Sequence, residues 1–398
     1  MSRASSGGEP DVVSRSGGEG WVGRGRAVVA GRLVLDDRVA AGRIVVEDGR
    51  IAAVELDAAE AGGPYVAPGF VDVHVHGWGG HDAMGGPAAL DGMARALLRR
   101  GVTSFLPTAV TAPLETLAAF AADVRRWAGD PPTDGAGPLG FNLEGPFIST
   151  AKAGAQNPAH IRTPADVPAA DLEPLLEGLR IMTIAPEVPG ALELIRWLRE
   201  RGVAPSLGHS SASAAEARAG YAAGAVTTTH LFNAMTGVDH HAPGLAVAAL
   251  TSDDVYAELI ADGHHVDRAL WPLVLRAKPA DRLVLVSDAI SLGGTAQRGG
   301  ILGGLEVEVE GDRCTLVAGG RLAGSVIALD TAVRNLARDG IPLPRAVAAA
   351  TRNPLALLGI ADRGRIATGL RADLVELGDD LVVRRVMRGG RWFEGAAR

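Results

Sequence analysis

The sequence predicts an α/β fold: a (β/α)8, or TIM, barrel carrying a small β-sandwich domain built from both chain ends. Three observations carry this. Eight short apolar runs alternate with segments of helical period through the middle of the chain, the pattern of parallel βα units. Short β-branched runs separated by Asp-Gly and Ala-Gly turns flank that middle on both sides, as antiparallel hairpins do. No glycine-rich phosphate loop follows the first apolar run, as the alternative, an open doubly wound sheet, would more naturally show.

The elements follow in order. Residues 1–26 are rich in Gly, Ser, Glu and Arg and lack an apolar stretch, so they are expected to be a disordered tail and not a signal peptide. Residues 27–66 ("RAVVAGRLVLDD", "GRIVVEDGRIAAVE") supply the N-terminal part of the β domain. Residues 67–363 are assigned to the barrel. Its runs are "FVDVHVH", "VTSFLPTAV", "LGFNLEG", "IMTIAPE", "VAPSLGH", "AVTTTHLF", "VYAELIADG" and "LVLVSDA". Helical segments such as "AALDGMARALLRRG", "LETLAAFAADVRRWAG" and "ALELIRWLRERG" lie between them. Residues 364–398 ("GRIATGLRADLVELGDDLVVRRVMRGGRWFEG") return to the hairpin pattern and complete the β domain.

Composition narrows the function. A hydrophobic fraction of 47% over 398 residues supports a large core. The net charge of −7 argues against nucleic acid or an anionic membrane as partner. No apolar run approaches the ~18 residues of a membrane span. Cys314 is alone, which forbids an intramolecular disulfide, fits a cytoplasmic location and suggests a buried apolar role. A small-molecule partner is the expectation that remains.

In such barrels catalytic groups sit where the strands end. Here the first run ends in His74 and His76, the third in Glu144, the fifth in His209, the sixth in His230 and the eighth in Asp288. His264 and His265 follow the seventh, one expected to face the site and the other to pack. Residues i and i+2 of a strand face one side, so His74 and His76 can grip one metal. His209 and His230 can hold a second, with Glu144 bridging. Nitrogen and carboxylate donors suit Zn or Fe, one or two ions per subunit, and not Mg or Ca. Such an ion lowers the pKa of its bound water toward ~7 and polarises a carbonyl. Asp288 can then accept a proton and pass it to a leaving amine. A single His-x-His pair or a lone strand-end Glu says little, but six such groups at five strand ends are hard to obtain by accident. His81, His160 and His240 are read as loop or surface residues.

With those residues in place, "PGFVDVHVHG" resembles the first-strand signature of the amidohydrolase superfamily. "NLEGPFIS", "LGHS", "THLFNAM", "ADGHHVD", "VSDA" and "LAGSVIALDTAVRN" together resemble the N-acetylglucosamine-6-phosphate deacetylase family. The likeness spans roughly residues 27–395, and "EGPF" with "HLFNAM" is specific within the superfamily. It implies that Glu144, His209 and His230 are the principal metal ligands. It implies that His74 and His76 are a first-strand pair present in some members, and that Asp288 is the catalytic acid/base. It implies that Asn233 and Ala234 touch the sugar phosphate, that His265 binds substrate, and that the protein is a homodimer. Many relatives bridge two metals with a carboxylated lysine; Lys152 and Lys278 do not end strands, which fits a branch using Glu144.

Two positions depart from the family pattern. His241 stands where an arginine usually helps bind the 6-phosphate, and it lacks the guanidinium fork. Gln156 stands where a histidine usually contacts the substrate near its acetamide. The leading expectation is hydrolysis of N-acetylglucosamine 6-phosphate to glucosamine 6-phosphate and acetate. A deacetylase of another N-acylated amino sugar, with or without phosphate, is the alternative those departures raise. A different amidohydrolase reaction is opposed by "HLFNAM" and "NLEGPF". A non-catalytic sugar-binding barrel is opposed by the retention of Asp288, since a binder needs no general base.

Overall fold

All eight apolar runs become parallel strands of one sheet in the computed structural model, which describes residues 25–57 and 62–396. The strands are Phe70–Val75, Val102–Ala109, Phe141–Glu144, Leu179–Ile184, Ala204–Leu207, Thr227–Thr228, Tyr256–Leu259 and Leu283–Leu285, hydrogen-bonded in chain order. Gly137–Pro138 adds a short ninth strand beside the second. Between the eighth strand and the first the seam is closed beyond the regular ladder. Asp288 donates its backbone N–H to the carbonyl of His74 at 2.9 Å, and His76 donates to Ala289 at 2.8 Å.

Helices pack outside. Leu114–Ala128 shows why: Leu117, Phe120, Ala121, Val124 and Trp127 recur at three- and four-residue spacing and are all buried, the stripe of a helix lying on a sheet. Phe120 meets Phe141 of the third strand edge to face at 5.6 Å. Ala214–Ala223 starts with a capping box, Ser213 and Glu216 each satisfying the other's backbone N–H, a device worth about 1 kcal/mol. Inside the barrel, Val71, Val73, Leu106, Ile181, Val284 and Val286 form a core closed off by Leu355 and Leu358 of the last helical turns.

The chain ends build one seven-stranded sheet. Its order is Arg391–Glu394, Val383–Arg388, Leu374–Leu377, Tyr65–Pro68, Arg26–Val34, Val39–Glu47 and Arg50–Leu56. The sandwich takes the form of this one sheet folded on itself. Ala372 donates to the Gly49 carbonyl and Ile51 to that of Leu370, both at 2.8 Å. Leu33, Ile44, Val66, Leu374 and Met387, from both chain ends, share the enclosed core. The tail expected over residues 1–26 lies outside the described residues up to residue 24, and Arg26 already opens a strand. Gly69 joins this sheet to the barrel at a contact only glycine permits, because a Cβ there would stand 2.4 Å from the Thr103 side chain.

One element was not foreseen. A three-stranded antiparallel sheet, Gly299–Leu302, Leu305–Glu310 and Arg313–Leu316, is inserted between the eighth strand and the helix Leu329–Arg338. Leu302, Val307, Cys314 and Leu316 pack with Val110, Ile290 and Leu292, which seats the insert over the strand ends. Cys314 is buried there, as its apolar character suggests. No described helix is long and apolar enough to cross a membrane.

Candidate active site

Six side chains picked from the strand ends meet in one buried centre. Glu144 is its hub. Its Oε1 lies 2.9 Å from His209 Nε2, 2.8 Å from His230 Nε2 and 3.5 Å from His74 Nε2. Its Oε2 lies 3.2 Å from His76 Nε2. Asp288 Oδ1 lies 3.1 Å from His76 Nε2 and 3.5 Å from His74 Nε2. Two groups of metal-ligating geometry result, His74–His76–Glu144–Asp288 and Glu144–His209–His230, with Glu144 common to both.

The donor set fits a metal, and the hydrogen bonds behind it say why. His74 Nδ1 donates to Glu258 Oε2 at 3.0 Å, His76 Nδ1 to the Thr108 carbonyl at 3.1 Å and His209 Nδ1 to the Lys152 carbonyl at 2.9 Å. With an N–H on that side, each ring turns its Nε2 inward, where loss of its proton would free a lone pair for a metal. The paired Nε2 atoms then face each other at 3.3 Å for His74 and His76, and at 3.0 Å for His209 and His230. Ring nitrogens that close, facing carboxylate oxygens, form a donor set that a cation between them would satisfy.

The electrostatics favour positive charge at this centre. Burial works against charge on His74, but Glu144 and Glu258 outweigh it and hold the ring well above its ordinary value. Burial opposes charge on His76 too, yet hydrogen bonds to Asp288 and Glu144 push it up to about 9. Glu144 is held well below the carboxylate range because the surrounding imidazoles overcome its desolvation. Asp288 is likewise lowered, against its burial, by His76 and His74. Asp72, desolvated between the first and last strands, is pushed up to about 6 despite hydrogen bonds from Ser287 and His74.

Backbone strain marks the same place. His209 (φ 48°), His230 (φ 28°), Phe232 (φ 78°), Ala234 (φ 47°) and Asp288 (φ 49°) are in the left-handed region. Each costs on the order of 1–3 kcal/mol unless the surroundings over-determine it. His209 and His230 sit two residues past the regular strands and Asp288 three, on turns that aim their side chains inward.

A cavity of about 330 Å3 opens above the centre and includes Gln156, Asn233, Ala234 and His265 in its wall. His265 Nδ1 donates to Asp262 Oδ2 at 2.6 Å, and this buried partner raises its pKa against desolvation. His264 turns away to Asp312 at 2.7 Å on the surface. Asn233 spends its amide on the carbonyls of His230 and Leu231, which shapes the loop.

Two expectations change. Gln156 does not offer a free amide to a ligand: its Nε2 donates to Glu144 Oε2 and its Oε1 accepts from Thr111 N at 2.7 Å. It braces the hub. His241 is exposed, outside the cavity wall, its ring 3.9 Å from that of His240 in a turn tied by Asp239 Oδ1. It does not line the cavity of its own chain. Three contributors were missed. Glu258 orients His74, and Leu302 and Arg321 reach the cavity from the unforeseen insert and the loop after it.

A parallel barrel that gathers four imidazoles and two carboxylates at its strand ends defines a metal-dependent hydrolase. The model of the amidohydrolase family matches residues 65–393. The chain is 36% identical over 384 residues to the N-acetylgalactosamine-6-phosphate deacetylase of Escherichia coli O157:H7, covering 94% of this chain and 97% of that one. It is 38% identical over 399 residues to the human N-acetylglucosamine-6-phosphate deacetylase, covering 94% and 95%. Among solved structures, the N-acetylglucosamine-6-phosphate deacetylase of Thermotoga maritima superposes with a TM-score of 0.86 at 35% identity, over 92% of this chain and all 100% of that one. A Mycobacterium smegmatis N-acetyl-D-glucosamine-6-phosphate deacetylase in complex with N-acetyl-D-glucosamine-6-phosphate gives 0.84 at 33% identity, over 92% and 99%. The chain belongs to the amidohydrolase family, in its N-acetylglucosamine-6-phosphate deacetylase branch.

Proposed function

We propose that the protein hydrolyses the acetamide of N-acetylglucosamine 6-phosphate to glucosamine 6-phosphate and acetate. The observation that carries this is Glu144 shared between the His74–His76–Asp288 and His209–His230 groups at the floor of a sugar-sized cavity. His74, His76, Glu144, His209 and His230 would hold one or two zinc or iron ions. When bound, such an ion supplies Lewis-acid polarisation of the acetyl carbonyl and makes water a better nucleophile near neutral pH.

The rest falls to side chains. Hydrolysis adds a water oxygen to the acyl carbon, breaks the C–N bond and moves one proton from water to the departing nitrogen. Asp288, ionised and 3.1 Å from His76, takes that proton and delivers it to the amine. Gln156 keeps Glu144 in register between the two imidazole pairs. Asn233 and Ala234 form the loop that receives the sugar phosphate, and His265, fixed by Asp262, meets the sugar. We read the protein as a cytoplasmic homodimer, with residues 67–363 as the catalytic barrel. Exposed His241 is then free to approach a neighbouring subunit.

A second reading, an N-acylated amino sugar other than N-acetylglucosamine 6-phosphate, is favoured by the absence of His241 from the cavity wall and by the engaged Gln156. Acetate release from N-acetylglucosamine 6-phosphate and from N-acetylglucosamine, measured side by side on metal-replete protein, separates the two. Strong preference for the phosphate ester supports the first reading, equal or reversed rates the second, and no acetate from either refutes the first.

A further inference from the structure

The cavity wall holds an arginine that neither the strand-end pattern nor the family likeness assigns. Arg321 lines the mouth, is exposed, and has no side-chain hydrogen bond, ion pair or ring contact among the described residues. Its backbone is pinned. The Arg321 carbonyl accepts from Leu316 N at 2.8 Å, Leu322 bridges to Thr315, and Ala323 N donates to Cys314 O at 3.2 Å. Four residues on, Ser325 N donates to the Asp288 carbonyl at 2.7 Å. The guanidinium is therefore carried on a segment locked to the catalytic floor, while its charge is left unspent.

Other arginines tied into the barrel and the β domain spend their charge on carboxylates. Arg100, Arg363 and Arg385 pair with Asp330, Asp373 and Glu376. The reacting centre at the floor, with Glu144 and Asp288, is where the acetamide must lie, so the phosphate at the other end of the sugar ester needs a cation of its own at the rim. Lys152 stands on the side of the fifth strand, its carbonyl tied to His209, and Arg321 on the side of the eighth, tied toward Asp288. His241 lies outside this wall. A planar fork of donors on a fixed backbone is the group that best recognises a phosphate monoester.

We infer that Arg321 is a specificity-determining residue that binds the phosphate of the sugar ester from within the same subunit, whose own His241 does not reach the cavity. The inference rests on the deacetylase reading for its substrate. Once the sugar is bound, Arg321 holds the phosphate at the rim and leaves the acetamide to reach Asp288.

The test is the ratio of kcat/KM for N-acetylglucosamine 6-phosphate to that for N-acetylglucosamine, with metal content measured in every sample. Arg321→Ala is expected to lower the ratio roughly 10- to 100-fold, the worth of a charge-assisted hydrogen bond, mainly through KM for the ester. Arg321→Lys is expected to recover part of it, since charge is kept and the fork is lost. A ratio unchanged in Arg321→Ala, including an equal loss on both sugars, overturns the inference. Titration calorimetry with N-acetylglucosamine 6-phosphate separates the two readings. If wild type binds the ester more tightly than Arg321→Ala by that factor yet releases no acetate, the deacetylase reading fails and the role of Arg321 stands. Equal binding by both proteins overturns the role whatever the turnover.

Discussion

Glu258 Oε2 lies 3.0 Å from His74 Nδ1, and the same oxygen accepts the backbone N–H of His230 at 3.2 Å, with neither side chain open to solvent. One carboxylate from the seventh strand thus fixes the tautomer of a ring on the first and the backbone of a turn after the sixth. Carboxylates behind ligating imidazoles raise ligand basicity, and their loss typically costs 10- to 100-fold in metal affinity or activity. Glu258→Gln keeps the volume and removes the charge. Its expected result is a roughly tenfold or greater loss of metal affinity with the fold retained, read by metal analysis after dialysis against graded chelator. Unchanged retention would remove Glu258 from the site.

Glu144 presents a different case, because it serves both imidazole pairs at once. Glu144→Gln should empty both groups together, with metal content falling below stoichiometry and acetate release falling at least 10^3-fold, an order-of-magnitude figure for losing a metal-assisted step. Loss of only part of the metal, with activity kept, would show that the two groups are independent.

Asp288 is the residue proposed to move the proton. Asp288→Asn keeps the size of the side chain and its place at the seam, where the backbone bond to His74 remains. The expected outcome is a kcat lowered about 10^2- to 10^4-fold with KM within a few fold and bound metal retained. A kcat close to wild type would assign the proton transfer to another group.

These residues differ in how far the sequence exposes them. Strands buried on both faces read as continuous apolar runs, and Phe70–Val75 and Val102–Ala109 are buried at every position, so the barrel is legible. The polar residues that end those runs stand out for the same reason. Glu258 does not stand out: it interrupts "YAEL" like any polar strand residue, and its partner His74 lies 184 residues away. The insert has a local signal in the alternation of "LEVEVE" and "RCTL", but alternation does not say that it will fold over the strand ends and carry Arg321 to the mouth. His241 shows the opposite limit. The family likeness implies a place at the substrate's phosphate, whereas the Asp239-capped turn directs the loop outward. The positive φ angles of His209, His230 and Asp288 leave no trace in residue type, because tertiary hydrogen bonds such as Ser325 N to Asp288 O impose them.

Lys278 tests the core away from the chemistry. Its side chain is buried, and Nζ donates to the carbonyls of Ala249 at 3.0 Å and Ser252 at 2.6 Å. Burial pulls its pKa down from 10.5 to about 8, more than the nearby Asp253 and Asp254 restore. The sign follows from proton counting. Below pH 8 both the folded and the unfolded chain hold the proton, and the folded chain bears the full cost of burying it. Between about 8 and 10.5 the folded chain has released a proton that the unfolded chain still binds, so this group makes stability rise with pH across that window. Lys278→Met keeps the apolar stem and removes the titration. Unfolding free energies of the two proteins, measured by denaturant at pH 7.5 and at pH 10, cancel the contributions of all other groups. Wild type is expected to gain on Lys278→Met at the higher pH. A difference that stays constant, or moves the other way, would mean that the buried ammonium is satisfied by its two carbonyls and carries no desolvation cost.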